Sequence, residues 1–302
     1  MLDAAWLVIL GMLLLGKLCQ FAQVFEHQSA AQVLNRYVIY AALPPLVIST
    51  LQSLQFNTML LWMVLLPWLM MVVSVGLMWI IGRVLQWSRA VIGAMMMLTA
   101  LGNTSFLGFP IVTALLGPEA LPAAMFYDQF GSFLMLSSVG LLIAAHYGHT
   151  DEVNLRSIAI SIIKFPPFIA LIIGLLPIPW HANILSAMTQ MGASLVPVAC
   201  FAVGLQWRWR LQRRHWVPLS IGLGTKMVLL PLLAGLILQL AQVPNQIAQV
   251  GLLEAGMPPM ITAGAIASAA GLDRDLASAM VGFGVVLALF SLPVLNSLAW
   301  FA

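Results

Sequence analysis

The sequence predicts an all-α polytopic membrane protein with ten transmembrane helices, built as two inverted five-helix repeats with broken crossover helices four and nine. Three observations carry that expectation. The 302 residues are 62% hydrophobic and only 7% charged, against roughly 45–50% and about 25% in soluble domains. Ten apolar stretches reach the roughly 20 residues that a spanning helix needs. Two of those stretches are interrupted by helix breakers at corresponding places in the two halves.

The ten stretches run over approximately 4–24, 35–54, 58–82, 90–116, 121–146, 156–176, 182–205, 216–241, 245–270 and 275–301. The first starts with an acidic residue, Asp3, and continues past Lys17 without a small-residue cleavage site. A secretory signal has a basic start and such a site, so the stretch is expected to be a retained helix. Short connections leave no room for an inserted soluble domain.

Orientation follows from the cations. Lys17 and Arg36 flank the first loop, and Arg83 and Arg89 lie in the third. Arg156 lies in the fifth, Arg208, Arg210, Arg213 and Arg214 in the seventh, and Arg274 in the ninth. Even-numbered loops and both termini carry none. Cationic loops are retained in the cytoplasm, so a multi-pass protein of the cell (inner) membrane with both termini outside the cytoplasm is expected. The net charge of +3 is assigned to the lipid headgroup layer, and no feature points to nucleic acid.

The halves are related by spacing. Pro44 and Pro197 are 153 residues apart, as are Asn103 and Gly256, and Gly117 and Gly271 are 154 apart. Five helices per half forces opposite orientations. The expected division is an N-terminal repeat over 1–149 and a C-terminal inverted repeat over 150–302. Such repeats place a binding site at mid-membrane where helices are discontinuous.

The first break is Leu101-Gly-Asn-Thr-Ser-Phe-Leu-Gly-Phe-Pro110, and the second is Glu254-Ala-Gly-Met-Pro-Pro-Met260. Pro110 removes a backbone donor. Broken backbone is not tolerated against lipid, so both breaks are expected to line a protein cavity. Each also offers a half-helix N-terminus, worth roughly half a positive charge and carrying unpaired N–H groups. Asn103 and Thr104 can bond a substrate or the freed backbone.

Ionisable groups at membrane depth are expensive and mark function by default. Asp128, Lys226 and Glu254 are the candidates; Lys17 and Lys164 lie close enough to helix ends to snorkel. An ion pair of Lys226 with Asp128 or Glu254 is the structural alternative to a binding role. Low dielectric and a nearby cation act on a carboxylate in opposite senses, which makes Asp128 and Glu254 candidates for proton exchange. Tyr127-Asp128 matches half of an intramembrane aspartyl protease signature, but that chemistry needs two aspartates sharing a proton. No Gly-x-Gly-Asp partner exists, so no enzyme is expected. Cys19 and Cys200 lie in apolar segments and read as packed small residues. No phosphate-loop or metal-ligand spacing is found, and no cofactor or metal is expected.

At the two breaks the chain resembles the auxin efflux carrier family. The resemblance runs over almost the whole length. It is strongest at Asn103-Thr-Ser-Phe-Leu-Gly-Phe-Pro110, Glu254-Ala-Gly-Met-Pro-Pro259 and Ser194-Leu-Val-Pro-Val-Ala-Cys-Phe-Ala-Val-Gly204, with Leu43-Pro44-Pro45-Leu46 in helix two. The long fifth loop of the plant members is missing, as in compact bacterial ones. The resemblance implies a bile acid/sodium symporter-like fold with crossing helices four and nine. It also implies a scaffold that is often dimeric and a transport domain moving like an elevator. It carries the family's crossover Asn onto Asn103, its crossover prolines onto Pro110 and Pro258/Pro259, and its helix-eight basic residue onto Lys226.

The resulting expectation is a secondary carrier of a small organic anion, a mono- or dicarboxylate. Substrate is expected at Asn103, Thr104, Gly108, Pro110, Lys226, Gly256, Met257, Pro258 and Pro259. Coupling to H+ or Na+ is expected at Asp128 and Glu254. A homodimer in the bilayer is the expected assembly. The alternatives are a sodium-coupled carrier of a sterol-like or neutral solute, and a non-transporting membrane sensor.

Overall fold

Apolar sequence without interior charge favours helix wherever backbone must satisfy itself, and helix is what the chain adopts. The computed structural model describes residues 4–25, 27–52, 58–148, 156, 160, 162–207 and 212–297. The expected repeat boundary between residues 149 and 150, the loop cations Arg208 and Arg210, and the chain termini lie outside the described residues. Among the described residues there are helices and a single isolated backbone bridge, Gly102 to Pro259.

Six helices are long and apolar enough to cross a membrane: Ala4–Phe21, Thr58–Val84, Pro118–Tyr147, Ala182–Gln206, Arg213–Leu240 and Arg274–Ser297. Arg89–Ala100, Thr104–Leu116 and Pro166–Leu175 are shorter apolar helices. The outer surface matches a lipid environment, with Leu14, Leu18, Val72, Ile80, Phe290 and Val294 exposed. One boundary departs from expectation. The second helix begins at His27, not at 35, and runs through a π turn at Val38–Ala42 into Leu43–Gln52. Its first part, His27–Tyr37, is polar on one side and so escapes a search for purely apolar runs.

Small residues set the closest helix contact. Ala4–Phe21 packs along Leu195–Gln206 at Gly16 and Gly204. A Cβ on Gly16 would lie 2.3 Å from the Phe201 carbonyl oxygen, and one on Gly204 would lie 2.3 Å from that of Leu13. Membrane helices associate through such close packing, since lipid tails are as apolar as leucine.

The two interrupted helices start and stop alike. Gln86 and Gln242 both adopt left-handed backbone, at φ 52 and 53. Each closes the preceding helix with paired bonds: Trp87 N–H to Gly82 at 2.9 Å and Gln86 N–H to Arg83 at 3.3 Å, then Val243 N–H to Leu238 and Gln242 N–H to Gln239, both at 3.0 Å. This is a Schellman-type ending. Past the far ends, Gly117 and Gly271 take φ 91 and 79, where a side chain would be strained.

The odd-numbered loops meet at one end of the bundle. Lys17 Nζ donates to the Trp207 carbonyl at 2.8 Å, and Arg89 donates to the His146 carbonyl. His215 and Asp273 form an ion pair at 3.0 Å, and the Asp273 N–H reaches the Ala90 carbonyl at 3.5 Å. Among the described residues, the loops that carry the orienting cations are therefore neighbours in space.

Candidate functional site

The first broken helix stops at Ala100, where Leu101 (φ −98, ψ 109) and Asn103 (φ −82, ψ 64) leave helical backbone. It resumes as a π turn over Thr104–Gly108 and then as Phe109–Leu116. Pro110 falls in the first turn of that helix, where its missing N–H is not needed. The second runs over Asn245–Ala255, opens over Gly256–Met260 and resumes as Ile261–Ala269.

The two openings cross and pair antiparallel. Asn103 N–H donates to the Pro258 carbonyl at 2.8 Å, and Met260 N–H donates to the Leu101 carbonyl at 2.9 Å. Backbone freed by one break is thus satisfied by backbone freed by the other, which is how non-helical chain survives at membrane depth. Asn103 O accepts from Gly108 N–H at 3.0 Å. The Asn103 side-chain amide nitrogen is buried without a hydrogen-bond partner. Its N–H groups are available rather than spent on the break.

Polar side chains converge on the crossing from three π turns, a feature frequent at functional sites. Thr104 and Ser105 sit on the turn Thr104–Gly108, Asp128 on Tyr127–Phe133 and Lys226 on Thr225–Leu229. The Asp128 turn is held by the Trp68 indole N–H, which donates to the Phe130 carbonyl at 2.9 Å. Asp128 accepts from Thr104 at 2.5 Å, Ser105 at 2.8 Å and Gln129 at 2.7 Å. Thr104 is therefore engaged by Asp128 and not by the opened backbone.

Lys226 is buried, and its ammonium donates to the Ala255 carbonyl at 3.1 Å. That carbonyl belongs to the last turn of Asn245–Ala255, the negative end of a helix dipole. No ion pair within 4.0 Å joins Lys226 to Asp128 or Glu254, so Lys226 contacts neither carboxylate directly. Glu254 is fully buried, and neither carboxylate oxygen has a hydrogen-bond partner. It lies within electrostatic reach of both Asp128 and Lys226. Its carboxylate packs on Gly108, where a Cβ would come within 2.7 Å of Oε2.

The structure thus gathers Asn103, Thr104, Asp128, Lys226 and Glu254 around the paired backbone of Gly102 and Pro259. Gly108 makes room for Glu254, while Gly256, Met257, Pro258 and Pro259 form the second strand-like opening. All of these residues, with Pro110, are buried. The open space lies beyond them. A cavity of about 640 Å³ adjoins the half-helix after the second break, lined among others by Asn35, Arg36, Gln206, Ile261, Thr262 and Arg274. Sequence reasoning used Arg36 and Arg274 only for orientation and passed over Gln206 and Thr262. The available signal was an arginine five residues past Ala269, the end of the second broken helix.

A family model described as "Membrane transport protein" matches residues 5–296. The chain belongs to that family, the auxin efflux carrier family that its breaks resemble. An uncharacterized transporter of Methanothermobacter thermautotrophicus is 29% identical over 300 residues, covering 95% of each chain. An uncharacterized transporter of Methanocaldococcus jannaschii is 26% identical over 211 residues, covering 66% of this chain and 67% of the relative. The family match includes both openings and the Lys226 turn, so the crossing lies inside the part of the chain shared with transporters.

Proposed function

We propose that the protein is a secondary carrier, not an enzyme, that moves a small organic anion across the membrane. The observation that carries this reading is the antiparallel crossing of two broken helices beside a buried ammonium and an unpartnered Asn103 amide. Half-helix ends and a lysine supply fixed positive charge, and the amide supplies a donor, which together fit a carboxylate. The ten helices are read as two inverted repeats, 1–149 and 150–302, working by an elevator motion. The like-ended broken helices support the repeat. The burial of the paired backbone, with a cavity adjoining the half-helix after the second break, supports alternating access.

The cationic end is read as cytoplasmic. A reporter fused at the C-terminus is then expected to be exposed outside the cytoplasm and one inserted near Gln212 inside it; a cytoplasmic C-terminus would overturn the inverted repeat.

Glu254 supports coupling to a cation. A buried carboxylate without a donor is stable when it carries a proton or a bound cation, and is costly otherwise. An inside-negative membrane favours export of an uncoupled anion by about 2.3 kcal/mol per charge per 100 mV, so uptake requires such a partner. The test is a carboxylate panel on purified protein in proteoliposomes, with and without sodium at two pH values. At least one acid is expected to be transported, with Glu254→Gln flattening its pH or sodium dependence more than Asp128→Asn, because Asp128 already holds three donors. Unaltered dependence in both variants would leave the two acids as structural groups, and no transport of any acid would remove the anion reading.

A further inference from the structure

The cavity beside Arg36 and Arg274 has no part in the crossing itself, and its chemistry is distinct. We propose that it is a second carboxylate site, an antechamber that receives a short dicarboxylate before the acid reaches the crossing; this rests on the organic-anion reading above. At about 640 Å³ it falls in the range of small-ligand pockets, roughly 300–1,000 Å³. Two guanidinium groups line it and, among the described residues, no carboxylate does.

The sequence places acids on both sides of Arg274, yet both are committed elsewhere. Asp273 takes the His215 ring and caps the Leu276 N–H at 3.0 Å, and Asp275 accepts from Gln212. Among the described residues neither Arg36 nor Arg274 has an ion-pair partner. Two like charges lining one cavity are bridged most favourably by an anion, and the guanidinium fork matches a carboxylate in two-point contact.

The cavity has a second cationic feature. Ile261 and Thr262 line it and begin the nine-residue half-helix Ile261–Ala269. The Met260 N–H already bonds Leu101, and the first intrahelical donor is the Gly264 N–H, to Met260 O. The amides of the first turn therefore have no intrahelical acceptor. A ligand that meets two guanidinium groups and the free first-turn amides of a half-helix in one cavity is matched by two carboxylates on a short chain. Asn35 on the lining adds an amide donor, while the Gln206 amide donates to the Ala202 carbonyl at 3.0 Å.

The test is calorimetric titration of the full chain in phosphatidylcholine nanodiscs with succinate and with butyrate, which has the same chain length and one carboxylate. Succinate is expected to bind about tenfold more tightly than butyrate. Arg36→Gln and Arg274→Gln are each expected to weaken succinate about tenfold, with the lysine variants retaining part of the affinity. Both arginines are exposed, and melting temperatures of the variants verify folding. Arginine-dependent succinate binding is expected to persist in Asn103→Asp. Its persistence without any transport by the wild type would sink the carrier reading and keep the antechamber. Loss of binding in Asn103→Asp with no effect of the arginine variants would overturn the antechamber and keep the carrier. No succinate binding by the wild type at millimolar concentration overturns the antechamber as well. A further arm uses phosphatidylglycerol nanodiscs: arginine-dependent lipid retention that succinate does not compete away would assign the pair to lipid headgroups and overturn it.

Discussion

Asn103→Asp is expected to fold, remain monodisperse and lose transport, with affinity at the crossing down by at least about 100-fold, or about 2.7 kcal/mol. The Asn103 amide nitrogen is buried and unpartnered, so its donors are not holding the break together. The backbone of the break is held by the Pro258 and Leu101 carbonyls instead, and neither bond involves the side chain. An ionised aspartate has no N–H to offer. It also adds a charge beside Asp128 and Glu254, in a place where solvent screens little. Asn103→Ala removes the donor without the repulsion and is expected to lose about tenfold. The comparison needs a binding isotherm and a melting temperature for each variant. The weaker arginine-dependent component should survive in both. Near-native affinity at the crossing in well-folded Asn103→Asp protein would remove this residue from the site.

Gly108→Ala is expected to destabilise the protein by about 1–3 kcal/mol, as overpacked cores do, and to stop transport. The added methyl would sit 2.7 Å and 2.9 Å from the two oxygens of Glu254. Glu254 is fully buried, and its helix is pinned to Lys226 through Ala255, so neither side yields cheaply. Replacing Glu254 by Ala in the Gly108→Ala background should restore the melting temperature while leaving cation coupling lost. Contacting residues couple in this way. A Gly108→Ala protein as stable and as active as the wild type would mean that Glu254 moves freely, and that the close packing carries no function.

The breaks were legible in sequence because Gly, Asn and Pro at membrane depth have few structural explanations. Their pairing was not: an antiparallel bridge between Gly102 and Pro259 depends on the two openings reaching the same depth, which no local pattern encodes. Asp128 and Lys226 stood out as charges in apolar runs. Their π turns left no mark, since Tyr127–Phe133 contains no breaker except a glycine. The ion pair of Lys226 with a carboxylate, the structural alternative to a binding role, is not formed; a helix-end carbonyl, that of Ala255, accepts from the ammonium instead. Thr104, assigned to substrate or backbone, serves Asp128. The cavity was invisible for a simpler reason. Arg36 and Arg274 lie in different halves of the chain, and only the fold brings them to one cavity.

The crossing is proposed to carry an organic anion from one side of the membrane to the other. Counterflow tests it most directly, since exchange needs binding and alternating access but no knowledge of the coupling ion. Proteoliposomes loaded with the best-binding acid of the panel are diluted into trace amounts of the same acid bearing a radiolabel. The account predicts transient accumulation of label above its equilibrium level with the wild type, and none with Asn103→Asp. An acid that binds the wild type tightly yet shows no counterflow, or equal counterflow in both proteins, would contradict it.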